Sequence, residues 1–72
     1  MSNSASVREL ILREAEQALV QQGFFGVSLR QVAQNTGVHP GTVGALFGGK
    51  RGLLKAAEER LRQNQLQAAA PG

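Results

Sequence analysis

Residues 28–42 read Ser-Leu-Arg-Gln-Val-Ala-Gln-Asn-Thr-Gly-Val-His-Pro-Gly-Thr, and the fold turns on how this stretch is punctuated. Ser28 followed three places later by Gln31 has the grammar of a capping box: a hydroxyl accepts from the third amide and a longer polar side chain reaches back. It opens a short helix whose inward positions are Leu29, Val32 and Ala33. That helix ends near Asn35-Thr36-Gly37, because Gly37 can take the positive φ of a helix C-terminus. Val38 follows as a core contact and His39 falls at the next N-cap. Pro40 suits the first helical position, where its missing N–H costs nothing. The helix from about Pro40 to Phe47 must be short, since Gly48-Gly49 breaks it and Gly41 and Gly44 each weaken a helix interior by about 1 kcal/mol relative to Ala. Two short helices joined by a tight turn form a helix-turn-helix, the arrangement that places its second helix in a major groove.

Upstream, Ser6-Val7-Arg8-Glu9 has the same capping-box form and predicts the start of a first helix. Val7, Leu10, Ile11, Ala15, Ala18 and Leu19 recur at three- and four-residue steps and lay an apolar face along it until Gly23. Glu9 and Arg13 are spaced for an i,i+4 pair on its wet side. Phe24-Phe25-Gly26-Val27 is an apolar connection expected to plug the core with one Phe pointing inward. Downstream, a fourth helix from about Lys50 carries Leu53, Leu54, Ala57, Leu61 and Gln65 or Leu66 inward, and Phe47 is expected in the core among Leu19, Val38 and Leu54. The fold class is all-α, a small bundle of four helices containing the helix-turn-helix. Residues 1–5 read as a disordered arm, 6–66 as the domain and 67–72 as a flexible tail.

Composition narrows the chemistry. Seventy-two residues make one small domain, with no Cys, one His and five acids that are all Glu. Disulfides, thiolate metal sites and cysteine nucleophiles are thereby excluded. No phosphate-loop, nucleotide-fingerprint or metal-ligand spacing occurs, so neither a cofactor nor a metal is expected. Glu14 and Glu16 lie two apart and do not face each other on a helix, which removes a carboxylate pair for acid and base work; they read as a solvated face. An enzyme is not expected. The formal charge of +3 and sequence pI of about 10.7 favour a polyanionic partner. No apolar run is long enough to span a membrane and the polar start lacks a signal-peptide layout, so a cytoplasmic location is expected.

The order Gly23-Phe24, Ser28-Leu29-Arg30-Gln31-Val32-Ala33, Thr36-Gly37-Val38, Gly41-Thr42, Phe47-Gly48-Gly49-Lys50, Leu53-Leu54 closely resembles the DNA-binding domain of TetR-family repressors over about residues 7–58. The resemblance implies a transcriptional repressor that binds double-stranded DNA through a helical N-terminal domain and dimerises through a larger C-terminal one. That second domain is not among these residues, so both a fragment and a stand-alone domain stay open. Lys50 matches the family lysine that meets the phosphate backbone. A cation at a helix N-terminus opposes the helix dipole, which agrees with an anion waiting there. Ser28 and Arg30, at the start of the second helix, are placed to contact phosphate as well. On the third helix the family usually carries a serine or lysine pair, then a tyrosine and a large polar residue. Here His39-Pro40 and Gly44-Ala45 stand in those places. Base readout needs donors and acceptors that reach base edges, which leaves His39, Thr42 and Gln34 or Asn35. The expected DNA-binding set is therefore Ser28, Arg30, His39, Pro40, Thr42, Gly44 and Lys50. The small residues of the third helix also keep open an alternative, a protein-interaction module on the same scaffold that has lost specific DNA readout.

Overall fold

A computed structural model describes the backbone of residues 4–69 and the side chains of residues 7–65. Four α-helices run in the order α1 (Ser4–Gln22), α2 (Leu29–Thr36), α3 (Pro40–Phe47) and α4 (Gly49–Ala69), with a 3-10 turn at Phe24–Gly26 between α1 and α2. The described residues form an all-α bundle, as expected. The long helices α1 and α4 pack together; α2 rests on α1, α3 rests on α4, and α2 and α3 meet each other.

The short helices form where the sequence signals them. Ser28 sits in extended backbone and its side chain accepts from the Gln31 amide, which caps α2. At the other end Gly37 has φ 76°, and its N–H donates to the Ala33 carbonyl. The Val38 amide donates to the same carbonyl, and the Thr36 hydroxyl donates back to the Val32 carbonyl. The turn is thus closed by bonds within five residues. Pro40 occupies the first turn of α3, and Gly48, with φ 77°, ends it by donating to the Gly44 carbonyl.

Ile11, Ala15 and Ala18 of α1, Val27, Val32 and Ala33, Val43 of α3, and Leu53, Leu54 and Ala57 of α4 make the buried core. Val7, Leu19, Leu29, Val38, Leu46 and Phe47 pack around it half-buried. Four of the ten core residues are Ala, so the helices approach closely but enclose little apolar volume. A domain of this size has only a few kcal/mol in reserve, and one large-to-small change such as Leu53→Ala, at about 2–5 kcal/mol, would remove most of it.

Several expectations need correction. Helix α1 begins at Ser4, so Ser6 lies inside its first turn: Ser4, Ala5 and Ser6 contain no breaker to hold the helix back. Residues 4 and 5 of the expected arm are thus helical, and residues 1–3 lie outside the described residues. Likewise α4 continues through Gln67 to Ala69, sustained by the strong helix formers Ala68 and Ala69, where a tail was expected; residues 70–72 and the side chain of Leu66 lie outside the description. Gln65 is exposed rather than inward. On α1, Leu12 is buried and Leu10 is exposed, because α1 is clasped by both α2 and α4 and the covered stripe is displaced to one side of the one expected. Neither Phe of the connection is buried: Phe24 is 46% and Phe25 96% exposed, whereas Val27 is 1% exposed. Gly23, with φ 82°, swings the chain so that Val27 fills the space instead. A Cβ on Gly26 would lie 2.8 Å from Gln22 Cβ, so the turn is seated hard against the end of α1.

The charged seam also differs. Arg60 Nη1 donates to Glu9 Oε1 at 2.9 Å and Nη2 to Glu9 Oε2 at 2.6 Å. This two-pronged fit across α1 and α4, which the rigid guanidinium favours, takes the place of the local Glu9–Arg13 pair. Arg60 Nε stands 3.2 Å from Glu16 Oε2, so Arg60 is no mere wet-face residue and Glu16 is mostly covered. The hydrogen bonds from Arg60 hold the Glu9 carboxyl below its ordinary pKa, and Glu9 in turn raises that of Arg60.

Candidate nucleic-acid interface

The expected residues lie at or near three helix starts, those of α2, α3 and α4. At the first, Ser28 Oγ is 3.3 Å from the Gln31 amide, and Arg30 projects exposed from the opening turn of α2. At the second, His39 Nδ1 accepts from the Gly41 amide at 2.9 Å. An imidazole accepting through Nδ1 carries its neutral-form proton on Nε2, so the ring caps α3 with one nitrogen and has a donor on the other. Arg30, His39 and Pro40 line one groove together with Ala33, Gln34, Gly37 and Val38, an open trough of about 580 Å3. The lining contains one cation, Arg30, and no carboxylate.

At the third, Lys50 and Arg51 stand exposed in the first turn of α4. They line a second concavity, about 310 Å3, with Phe24, Phe25 and Leu54. The expected residues therefore fall into separate groups: Arg30, His39 and Pro40 share one groove, Lys50 belongs to another, and Ser28, Thr42 and Gly44 line neither of the two. Thr42 is exposed on the first turn of α3 and Gly44 half-covered on its second. A Cβ placed on Gly44 would meet nothing within 4 Å. The space beside α3 is open, and among the described residues no packing requires a glycine there.

Asn35 is exposed, but its side-chain amide is engaged within the chain. Its Nδ2 donates to Glu14 Oε2 at 2.7 Å, and its Oδ1 accepts from Gln31 Nε2 at 3.2 Å. Asn35 thus ties α2 to α1, and Glu14, expected as a solvated carboxylate, is its partner. Gln34 keeps its place on the groove wall. Arg8 has a similar supporting part: its guanidinium lies 4.6 Å from the centroid of the Phe47 ring and Nη1 is 3.4 Å from the Leu46 carbonyl. A cation there complements the negative end of α3 and covers the aromatic face, which is why Phe47 is half-buried rather than sealed in the core.

The junction from α3 to α4 sets where Lys50 and Arg51 stand. Gly48 and Gly49 both have positive φ, 77° and 91°, and let the chain reverse in two residues. Gly52 then passes so close over the end of α3 that a Cβ on it would lie 1.6 Å from the Phe47 carbonyl oxygen. Sequence reading singled out the Gly48-Gly49 pair but missed Gly52, whose constraint comes from the packing of two helices and leaves no periodic mark.

Among the described residues no group of His and carboxylates could hold a metal ion, and no helix is long and apolar enough to cross a membrane. Capped helices of eight residues each, closed by Gly37 and set on a two-helix platform, define a helix-turn-helix domain. The family of bacterial regulatory proteins designated TetR matches residues 11–57, which takes in both short helices, and the chain belongs to that family of DNA-binding transcription regulators. No curated protein and no solved structure matches it.

Proposed function

We propose that this domain binds duplex DNA with a sequence preference, inserts α3 into the major groove and acts as a repressor by occupying an operator. The observation that carries the reading is the shared exposure of Arg30, His39, Lys50 and Arg51 around the starts of three successive helices. Helix starts carry unpaired amides and the positive end of the dipole, both of which favour phosphate oxygens. In this reading Arg30 and Lys50 grip phosphates on either side of α3, with the Ser28 region adding backbone amides. His39 offers Nε2–H to a phosphate or an acceptor on a base edge. Thr42 reaches a phosphate or a thymine methyl, and Pro40 and Gly44 let the backbone of α3 come close to the DNA. Phosphate contacts fix the register while base contacts supply the choice of sequence, so a helix with so few long side chains discriminates modestly between operators.

Two copies of the chain would read half-sites one helical turn, or a multiple, apart. Action on bacterial DNA places the protein in the cytoplasm. In this reading its output is occupancy of the operator. With three cations engaged, log K against log salt should have a slope of about −3, at about −0.9 per neutralised phosphate.

The test is Lys50→Ala, measured by fluorescence anisotropy of a labelled mixed-sequence duplex across a salt series. The expected result is weaker binding to all sequences and a slope shallower by about 0.9. An unchanged slope would remove Lys50 from the interface. The open space at Gly44 and the short side chain of Ala45 favour one second reading, a protein partner packed against α3. On that reading Lys50→Ala leaves partner binding intact.

A further inference from the structure

The most exposed large apolar side chain among the described residues is Phe25, 96% exposed, with Phe24 beside it at 46%. Their rings meet edge to face with centroids 6.1 Å apart. These side chains do not hang from a slack loop. Gly23 N–H donates to the Leu19 carbonyl at 2.9 Å and Gly26 N–H to the Gly23 carbonyl at 3.1 Å. Gly26 is seated against Gln22, and Val27 is anchored in the core. The turn is fixed at both ends and holds the pair outward.

What stands next to the pair decides what it meets. Phe24, Phe25 and Leu54 share their concavity with Lys50 and Arg51, and no carboxylate lines it. The patch thus joins three apolar side chains to two cations, and Lys50 belongs both to it and to the proposed phosphate grip. We propose that Phe25 extends the DNA interface beyond α3: its ring lies against the deoxyribose wall of the minor groove next to the half-site, while Lys50 and Arg51 hold the flanking phosphates. This rests on the DNA-binding reading above and adds a second recognition element to it. Proteins that bind the minor groove combine cations, which read its width, with apolar side chains that press into it. The need for one here follows from α3 itself, since Gly41, Gly44 and Ala45 give few contacts to base edges. An acidic protein segment would satisfy the same charges, but it would not share Lys50 with a neighbouring row of phosphate-seeking helix starts.

The chain contains no Trp and no Tyr, so Phe25→Trp installs a single fluorophore at a position where a larger ring meets open solvent. Val20→Trp, at the 69% exposed position on α1, is the control. Binding of a labelled mixed-sequence duplex is followed by anisotropy while acrylamide quenching reports access to the indole. With DNA saturating, the indole of Phe25→Trp should become protected and that of Val20→Trp should not. Phe25→Ala should weaken binding about three- to tenfold without changing the salt slope, since an apolar contact releases no counterion. Lys50→Ala should change the slope. If anisotropy reports saturation while the indole at position 25 stays open to acrylamide, the proposal is overturned and the DNA-binding reading stands; the patch then belongs to another class of partner. If no variant or parent binds the duplex even at low salt, both fall.

Discussion

Replacing Gly52 by Ala should destabilise this domain, although the same change in an exposed helix normally stabilises it. An ideal Cβ on Gly52 lies 1.6 Å from the Phe47 carbonyl oxygen and 2.8 Å from its carbon. Carbon and oxygen make contact near 3.3 Å, so one backbone must retreat by about 1.7 Å. The Phe47 carbonyl cannot swing aside cheaply, because Gly48 N–H is bonded to the Gly44 carbonyl at 2.8 Å and Arg8 holds the neighbouring Leu46 carbonyl. Overpacking of this kind costs about 1–3 kcal/mol, and a clash with backbone belongs at the upper end. The helical gain of Gly→Ala, about 1 kcal/mol, offsets part of it, leaving a net loss of about 2 kcal/mol. In a domain of this size that lowers Tm by about 8–16 °C. Gly44→Ala is the matched control: it too lies in a helix, but its Cβ meets nothing within 4 Å, so Tm should rise by about 2–8 °C. Thermal melts followed by far-UV circular dichroism on the parent and both variants decide the matter. A Gly52→Ala melt at or above the parent's would refute the claim that the junction of α3 and α4 is packed this tightly. Because α4 starts here, the variant should also bind DNA less well through displaced Lys50 and Arg51.

Ser28→Ala removes the cap of α2 and should cost about 0.5–2 kcal/mol, read as a lower urea midpoint with an unchanged m-value. His39→Asn can still cap α3 and should melt with the parent, whereas His39→Ala should melt lower; a fall in DNA affinity in both variants, the normally melting Asn one included, would show that Nε2 reaches the DNA. The Glu9 carboxyl is held below its ordinary pKa by Arg60, so its contribution is complete above the unfolded value and is lost as pH falls through the lowered folded one. Glu9→Gln should therefore lower stability at neutral pH and flatten its decline under acid, and an acid profile identical to the parent's would dismiss the pair. Arg60→Gln should lower Tm further than Glu9→Gln, since Glu9 and the mostly covered Glu16 both lose their partner.

Local chemistry accounts for what could be read before the structure. Ser28, Gly37, His39 and Pro40 each act within two to four residues of themselves, and all four stand where their backbone roles require. The positions of Arg30, Lys50 and Arg51 on an exposed surface follow from those boundaries. What escaped reading was decided between elements. Arg60 prefers Glu9 to leave Arg13 because two helices bring a fork and a carboxylate into register. The apolar connection predicts one of Phe24 and Phe25 in the core, yet Val27, smaller and better placed, fills the site. Leu10, expected inward, is exposed while Leu12 is buried, because α1 has two neighbours rather than one. Asn35 resembles a surface amide until α1 supplies Glu14. Gly52 carries no signal of its own, since its constraint is an oxygen on another helix.

In the proposed mode of binding the starts of α2, α3 and α4 form a single DNA-binding face. This central claim is tested most directly by amide chemical-shift titration of the chain with a mixed-sequence duplex at low salt and again near physiological salt. The account predicts shifts concentrated at residues 28–30, 39–45 and 49–51 that shrink as salt rises. Amides there that stay unmoved at low salt with DNA in excess would contradict it.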